Sequence, residues 1–514
     1  MYLTQGLHHA VQQNPGGIMT IYGDRTRTFA EVADRVARLA GALRGLGVAD
    51  GDRVAMLSLN SDRYSEYLLA VPWANAVLNP VNIRWSPAEI IYSFIDSGTN
   101  VLFVDDAFAA MLPAIRQGYD GLLAVIHCGD GPTPEGALSY EDLIANSEPV
   151  PDARRGGADL AGVFYTGGTT GFPKGVMLSH DNLFASALGS VATGYLFAPG
   201  ATYLHAAPMF HLADLTGWAV VVFLGGTHVI IPMFEPVATM RAIAEHQVTD
   251  SLLVPVMLQM LVDHPEIHDH DLSSLERALY GASPISQAVL ERVMKAFPNA
   301  RMTQAYGMTE LSPVATLLGP DDHTGGLMRS AGRAAPHAEV RIADLDDNEV
   351  PRGTVGEIQV RGDHVMLGYW NKPEETAAAL RGGWMHTGDG GYMDEQGYVF
   401  VVDRIKDMIV TGGENVYSVE VENAVAAHPN VAACAVIGVP DEEWGERVHA
   451  VIVCMPGTTV TAEEIREHAK ALIAGYKAPR TVELTDALPV SGAGKILKRE
   501  LRQKYWGDTE RQVH

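Results

Sequence analysis

The chain has 514 residues, more than one ordinary domain, so at least two domains are expected. Its apolar content of 47% with 19% charged residues suits a globular protein with a sizeable core. With 62 acidic against 37 basic side chains the net charge is −25, which argues against non-specific binding to nucleic acid or an anionic membrane, since either wants a basic face.

The N-terminus lacks a basic region followed by an apolar run, so no signal peptide is expected. Residues 29–47 carry Val32, Val36, Leu39, Leu43 and Leu46 at helical spacing, with Gly47 as a C-cap. Strand-like runs follow at 53–57, 100–104, 122–127, 202–207, 227–231, 251–254 and 277–280, with helical segments between them. This alternation predicts an α/β fold with a large N-terminal domain of doubly covered, mostly parallel sheets. The most apolar segment, 218–234, is broken by Gly225, Gly226, His228 and Pro232 and is too short to span a bilayer. Cys128, Cys434 and Cys454 lie far apart in apolar runs and read as buried thiols. A soluble, cytoplasmic protein is expected.

After about residue 335 short alternating runs such as 339–342 and 357–360 predict a small β subdomain, reaching to about 403. Beyond 403–407 the pattern is helix 419–427, strands 432–439 and 449–455, helix 461–474 and strand 481–483, with Thr461 and Glu464 as a capping box. The expected division is 1–403 and 404–514, the second part a small α+β domain.

Chemistry concentrates in a few stretches. At 165–175 an apolar strand runs into Tyr165-Thr166-Gly167-Gly168-Thr169-Thr170-Gly171-Phe172-Pro173-Lys174-Gly175. Glycines bring backbone N–H groups against an anion, threonines add donors and lysine adds a cation, so the loop predicts a triphosphate cradle. It differs from the common P-loop, which ends in Gly-Lys-Ser/Thr. In Gln304-Ala305-Tyr306-Gly307-Met308-Thr309-Glu310 the tyrosine can stack on a purine and the carboxylate can hold Mg²⁺. Trp384-Met385-His386-Thr387-Gly388-Asp389 places an acid after a Thr-Gly turn, as ribose-diol sites do. Arg404 and Lys406 are cations at the domain boundary, and Lys495 sits on a small-residue loop.

In this order, 166–175, Pro208-Met209-Phe210-His211, Tyr280-Gly281-Ala282-Ser283, 306–310, Thr387-Gly388-Asp389, 403–406, Thr411-Gly412-Gly413-Glu414-Asn415 and Gly494-Lys495 resemble the adenylate-forming superfamily of acyl-CoA synthetases, luciferases and carrier-protein-charging adenylation domains. The resemblance covers essentially the whole chain. It implies a two-step reaction: a carboxylate attacks the α-phosphate of Mg-ATP to give an acyl-adenylate, then a thiol, usually that of CoA, displaces AMP. It also implies roles for residues. Thr166, Gly167, Gly168, Thr169, Thr170, Gly171 and Lys174 would hold the β- and γ-phosphates. Glu310 would hold Mg²⁺, and Thr309 would contact the α-phosphate. Tyr306 and the Gly281-Ala282-Ser283 turn would flank adenine. Asp389 and Arg404 would bind ribose, and Lys495 would bridge the carboxylate and α-phosphate oxygens. Lys406 would be the hinge about which the C-terminal domain rotates to bring Gly412, Gly413 and Glu414 to the CoA side. Lys477 would meet CoA phosphates.

His211 would stand near the carboxylate end of the acid. On a helix starting there Ala213 and Gly217 share a face, which suggests a roomy acyl pocket, with Asp214 and Trp218 nearby. Met257, Tyr280, Ala305, Gly307, Met308 and Val314 are further pocket candidates, each equally readable as core. The expected acid is medium-chain aliphatic or aromatic.

Other readings are weaker. His264, His268 and His270 with Glu266 do not form a convincing metal set, because Pro265 breaks the turn. Ser179-His180-Asp181 is no catalytic triad, and Ser179 or Asp181 reads as a helix N-cap. Two alternatives to a CoA ligase stay open: a stand-alone enzyme that loads a carrier protein, and a catalytically silent nucleotide-binding protein. The expected partners are a small carboxylic acid, ATP and CoA, with no nucleic acid and no membrane span; the sequence leaves a homodimer open.

Overall fold

The computed structural model describes residues 1–166, 173–283, 285–404, 407–412, 414–441, 443–490 and 496–506. They fall into two compact units. One comprises Met1–Ala282, Val289–Val340 and Val360–Met385; the other comprises Ser283–Ala288, Arg341–Gln359 and His386–His514. The strands read as a β subdomain thus divide between the two units, most of their residues grouping with the C-terminal part.

The first unit is built on two sheets. In one, Leu160–Thr166, Val77–Pro80, Arg53–Leu57, Thr99–Val104 and Ala124–His127 run parallel side by side. Lys174–Ser179 folds back antiparallel on Leu160–Thr166, and Gly368–Tyr369 adds an antiparallel strand beyond it. In the other, Arg301–Gly307, Arg277–Gly281, Asp250–Leu252, Thr202–His205, Thr227–Ile230 and Ile18–Tyr22 are parallel, with Val314–Leu318 antiparallel beside Arg301–Gly307. Helices supply the crossovers. Phe29–Gly45 buries Val32, Val36, Leu39 and Leu43, and Thr28 with Glu31 closes its N-terminus in a capping box. Leu57, Trp85, Phe94, Leu102, Ile115 and Tyr165 share one core cluster, and each fully buried apolar side chain of this size stabilises by about 1.5–3 kcal/mol.

The strand predicted over 202–207 ends at His205. The next carbonyls turn away from the sheet because the Asn60 amide donates to Ala207 O at 2.9 Å, while Asn60 Oδ1 accepts the Met209 N–H at 2.8 Å. That side chain sets the path of the segment leading to His211.

In the second unit Glu339–Ala343, Gly356–Arg361, Met385–Met393 and Val399–Arg404 form a four-stranded sheet, of which the first two strands and Met385 reach into the first unit's residues. A further sheet joins Glu414–Val416, Ile409–Thr411, Gly445–Cys454 and Val431–Asp441, with Thr481–Leu484 parallel to Gly445–Cys454. Ile409, Val421, Val436, Val448, Ile452 and Ile465 form its core. The helix predicted to reach 474 stops at Lys470, where a turn exposes Leu472. Its Thr461–Glu464 capping box is present. No helix among the described residues is long and apolar enough to cross a membrane. Cys128, Cys434 and Cys454 are free thiols, the first two buried.

Candidate active site

The hairpin of Leu160–Thr166 and Lys174–Ser179 pairs Thr166 with Lys174, so these residues flank the loop at its tip. A side chain at 175 could not fit: a Cβ there would lie 2.7 Å from Val163 and 3.0 Å from the Tyr165 ring. Gly175 also lends its carbonyl to the Trp370 N–H at 2.7 Å, and Met177 lends its carbonyl to Leu367 at 2.9 Å. The segment 366–370 therefore straps the hairpin.

That segment carries a side chain the sequence reading did not single out. The Tyr369 phenol donates to Glu310 Oε1 at 2.8 Å, and Lys174 Nζ stands 4.9 Å from the centre of the same ring. Glu310 is buried, with 6% of its surface exposed, on a short 3₁₀ turn spanning Thr309–Leu311. Burial and the neighbouring Glu310 carboxylate push the Tyr369 phenol far above its ordinary range, so it stays a protonated donor. Lys174, Tyr369 and Glu310 thus converge although they come from three separate stretches.

The residues expected to flank adenine lie at strand ends. Gly281 pairs with Ala305, and a Cβ at 281 would lie 2.1 Å from the Ala305 carbonyl, so only glycine allows the approach. Ala282 takes a left-handed conformation with φ 65°, and Ser283 follows it in sequence. From Gln304 to Thr309 every residue is half-buried between the buried Thr303 and Glu310, so Tyr306, Gly307, Met308 and Thr309 border an accessible edge. Gly307 is demanded by packing: a Cβ there would meet the Pro313 carbonyl at 1.9 Å.

Among the acyl-pocket candidates, Ala213, Ala305 and Val314 gather around two residues not anticipated, Phe197 and Leu279. Gly217 does not open the space its small size suggested. A Cβ there would lie 2.9 Å from Tyr203 Oη and 3.5 Å from the Phe197 ring, so those two rings occupy the notch. Tyr203 is held in place by a buried polar chain. Its hydroxyl donates to Asp214 at 3.1 Å, the second Asp214 oxygen lies 2.6 Å from His205 Nδ1, and His205 Nε2 lies 2.9 Å from His228 Nδ1. Trp218 points elsewhere, its Nε1 donating to Ser65 Oγ at 2.8 Å. Tyr280 is not brought to the group. Its phenol pairs with His323 Nε2 at 2.9 Å, while strand alternation turns the neighbouring Leu279 to the opposite face. Met257 is half-buried on Pro255–Val262. His211 occupies the N-cap position of Leu212–Phe223, its ring 4.1 Å from that of Phe210.

In the second unit Asp389 and Arg404 are cross-strand partners in the backbone register. The turn before Asp389 is fixed by Gly388 at φ 70° and by Thr387 Oγ1, which donates to Ile358 O at 2.6 Å and accepts the Asp389 N–H at 3.1 Å. Gly412 is left-handed at φ 60° and lies against Trp444, whose carbonyl accepts its N–H at 2.9 Å. Glu414 is exposed next to it. Lys477 is paired with Glu420, both carboxylate oxygens 2.8 Å from its Nζ. Gly167, Gly168, Thr169, Thr170, Gly171, Lys406, Gly413 and Lys495 lie outside the described residues, and for Arg404 only the backbone is described.

Parallel sheets, and a buried carboxylate with a cation near it at the base of a hairpin whose tip sequence is rich in glycine and threonine, suit a nucleotide-binding enzyme of the α/β class. Comparison with known proteins takes this further. The model of the AMP-binding enzyme family matches residues 7–370, and that of the AMP-binding enzyme C-terminal domain matches 420–495. A feruloyl-CoA synthase of an Amycolatopsis species is 40% identical over 96% of this chain and 97% of its own length. A fatty acid–[acyl-carrier-protein] ligase, ScoC of Streptomyces coeruleorubidus, is 36% identical over 100% of this chain and 98% of its own. The ATP-bound crystal structure of MatB from Rhodopseudomonas palustris superposes with a TM-score of 0.89 at 30% identity, covering 99% of this chain and 100% of MatB. The chain belongs to the AMP-binding enzyme family, within the adenylate-forming superfamily, and its activity is that of an AMP-forming acyl-CoA synthetase.

Proposed function

We propose that this enzyme activates an aromatic or medium-chain carboxylic acid with Mg-ATP and passes the acyl group to CoA, releasing pyrophosphate and then AMP. The observation that carries the nucleotide half is the convergence of Lys174, Tyr369 and Glu310 at the base of the glycine-threonine loop. The first step brings a carboxylate anion against a triphosphate, so its charge has to be offset by fixed donors and cations. Lys174 offers a cation there, and the glycine-threonine composition of 167–171 suits backbone donors to phosphate. Glu310 suits a hard divalent cation, being a buried carboxylate beside a phosphate-type loop, and Mg²⁺ held there would neutralise phosphate charge.

Thr309 would contact the α-phosphate, and Lys495 would bridge the acid and α-phosphate oxygens. Tyr306 and the 281–283 turn would enclose adenine. Asp389 and Arg404 would hold the ribose, a pairing their cross-strand register supports. Rotation about Lys406 would then exchange Lys495 for the glycine-lined segment 412–414, where CoA enters. Lys477 would reach a CoA phosphate only after leaving Glu420.

For the acid, the apolar group of Phe197, Ala213, Leu279, Ala305 and Val314 supports a flat ring or a medium chain. The test is a panel of acids, short aliphatic through medium-chain to cinnamic, scored for AMP and thioester. Acetate as the best substrate would refute the assignment. A second reading, loading of an acyl carrier protein, is favoured by the full-length similarity to the carrier-protein ligase. Pyrophosphate exchange without thioester formation on adding CoA would select it.

A further inference from the structure

We propose that Tyr369 is a positioning residue that aims the Glu310 carboxylate at the divalent cation and ties it to the phosphate-binding lysine. The proposal rests on the reading that Glu310 holds the metal. Its own basis is geometric. Tyr369 is fixed at both ends. Its backbone lies on the strand Gly368–Tyr369, paired with Met177 and Val176, and its N–H donates to Thr376 Oγ1 at 2.9 Å. Its phenol donates to Glu310 Oε1 at 2.8 Å. The preceding strap grips the same turn through its backbone, because the Met366 N–H donates to Glu310 O at 2.9 Å.

Gly368 makes this possible. It has φ 144°, a conformation that favours glycine, and a Cβ there would meet Thr376 Cγ2 at 2.6 Å. The ring meanwhile presents its face to Lys174 Nζ at 4.9 Å. One side chain therefore fixes the orientation of an anion with its edge and of a cation with its face. A carboxylate swinging on its own rotamers would lose that aim, and outer partners of this kind typically carry about 10–100-fold in metal affinity.

The experiment compares the parent enzyme with Tyr369→Phe and Glu310→Gln. Mn²⁺ binding is titrated by electron paramagnetic resonance with α,β-methylene-ATP, which cannot be cleaved. Tyr369→Phe keeps the ring and removes only the hydroxyl. It is expected to weaken Mn²⁺ binding by about tenfold or more, as Glu310→Gln does. The conversion of supplied acyl-adenylate and CoA to thioester, in which no triphosphate is bound, is expected to change far less than Mn²⁺ affinity. If Glu310→Gln weakens Mn²⁺ and Tyr369→Phe does not, the proposal falls and the assignment of Glu310 stands. If neither weakens it, the Glu310 assignment falls and takes the proposal with it. If Tyr369→Phe depresses the thioester step as much as Mn²⁺ affinity, the tyrosine is a general support and the proposal is overturned.

Discussion

Glu357 and His386 face each other across neighbouring strands, Oε2 of the one 2.7 Å from Nδ1 of the other. The second oxygen of Glu357 accepts the Gly388 N–H at 3.0 Å, so a single carboxylate braces the turn that presents Asp389. Replacing Glu357 by alanine removes both contacts and leaves the Gly388 N–H without this acceptor. Such a loss costs about 1–3 kcal/mol, and if Asp389 holds ribose, KM for ATP is expected to rise roughly tenfold. Pyrophosphate exchange at varied ATP checks this, with KM for the acid as the control. An unchanged KM for ATP would show that the turn stands without its brace.

The two half-reactions should separate genetically. Lys495→Ala is expected to slow adenylation by about 10²–10³-fold, the usual effect of losing one donor to developing charge. Conversion of supplied acyl-adenylate with CoA should persist. Lys406→Pro should do the reverse, impairing thioester formation more than adenylation. Single-turnover assays of each step decide the matter. Equal losses in both steps for either variant would sink the division of labour.

At Gly217 the expected result is steric. Alanine there puts a methyl group 2.9 Å from Tyr203 Oη, which has to shift against its bond to Asp214. Overpacking of this kind costs about 1–3 kcal/mol. Urea denaturation should record the loss. A gain of stability would mean that the notch is open after all, and with it the deeper pocket that the sequence suggested.

Stability should also fall on acidification. Burial, with the Arg155 cation nearby, lowers His180 to about 4; its Nδ1 accepts the Leu3 N–H at 3.3 Å. Burial, with His337 beside it, lowers His364 to about 3. Both folded values lie below the unfolded one, so the unfolded chain binds more protons as pH falls. The stability is complete above the ordinary histidine pKa and is lost as pH falls toward the folded values. At about pH 5 the loss is on the order of 2 kcal/mol for each histidine. Urea midpoints measured between neutral pH and that value test this, and a flat profile would contradict it.

Much of the fold was legible because its signals are local. The parallel strands read as apolar runs, and Thr461 with Glu464 announced a helix start. Of the two N-cap candidates, Ser179 and Asp181, it is Ser179 that caps His180–Val191, by accepting the Asn182 N–H. The site was legible where glycine, hydroxyl and charge punctuate one stretch, as around Glu310. Tyr369 was not, because its role exists only when an edge strand brings it to a carboxylate 59 positions away. Phe197 was hidden for a similar reason: its left-handed backbone, φ 50°, has no signal in a phenylalanine. Gly217 misled because a missing side chain signals space only if nothing else fills it.

The polar chain from Tyr203 through Asp214 and His205 to His228 bears on how acid preference could change in this lineage. Each of these residues sits on or against the sheet, and each is at most 1% exposed. If the acid lies in the group around Phe197 and Leu279, an exchange at 213 would alter the helix side of that group, while Tyr203 is anchored by a chain of four mutually dependent groups. Drift in substrate choice toward smaller or slimmer acids would then be easier through substitution at 213 than at 217, where Tyr203 already fills the notch. Acceptance of longer ones would then require concerted change in two strands and the helix that carries Asp214, which a designer would have to make all at once.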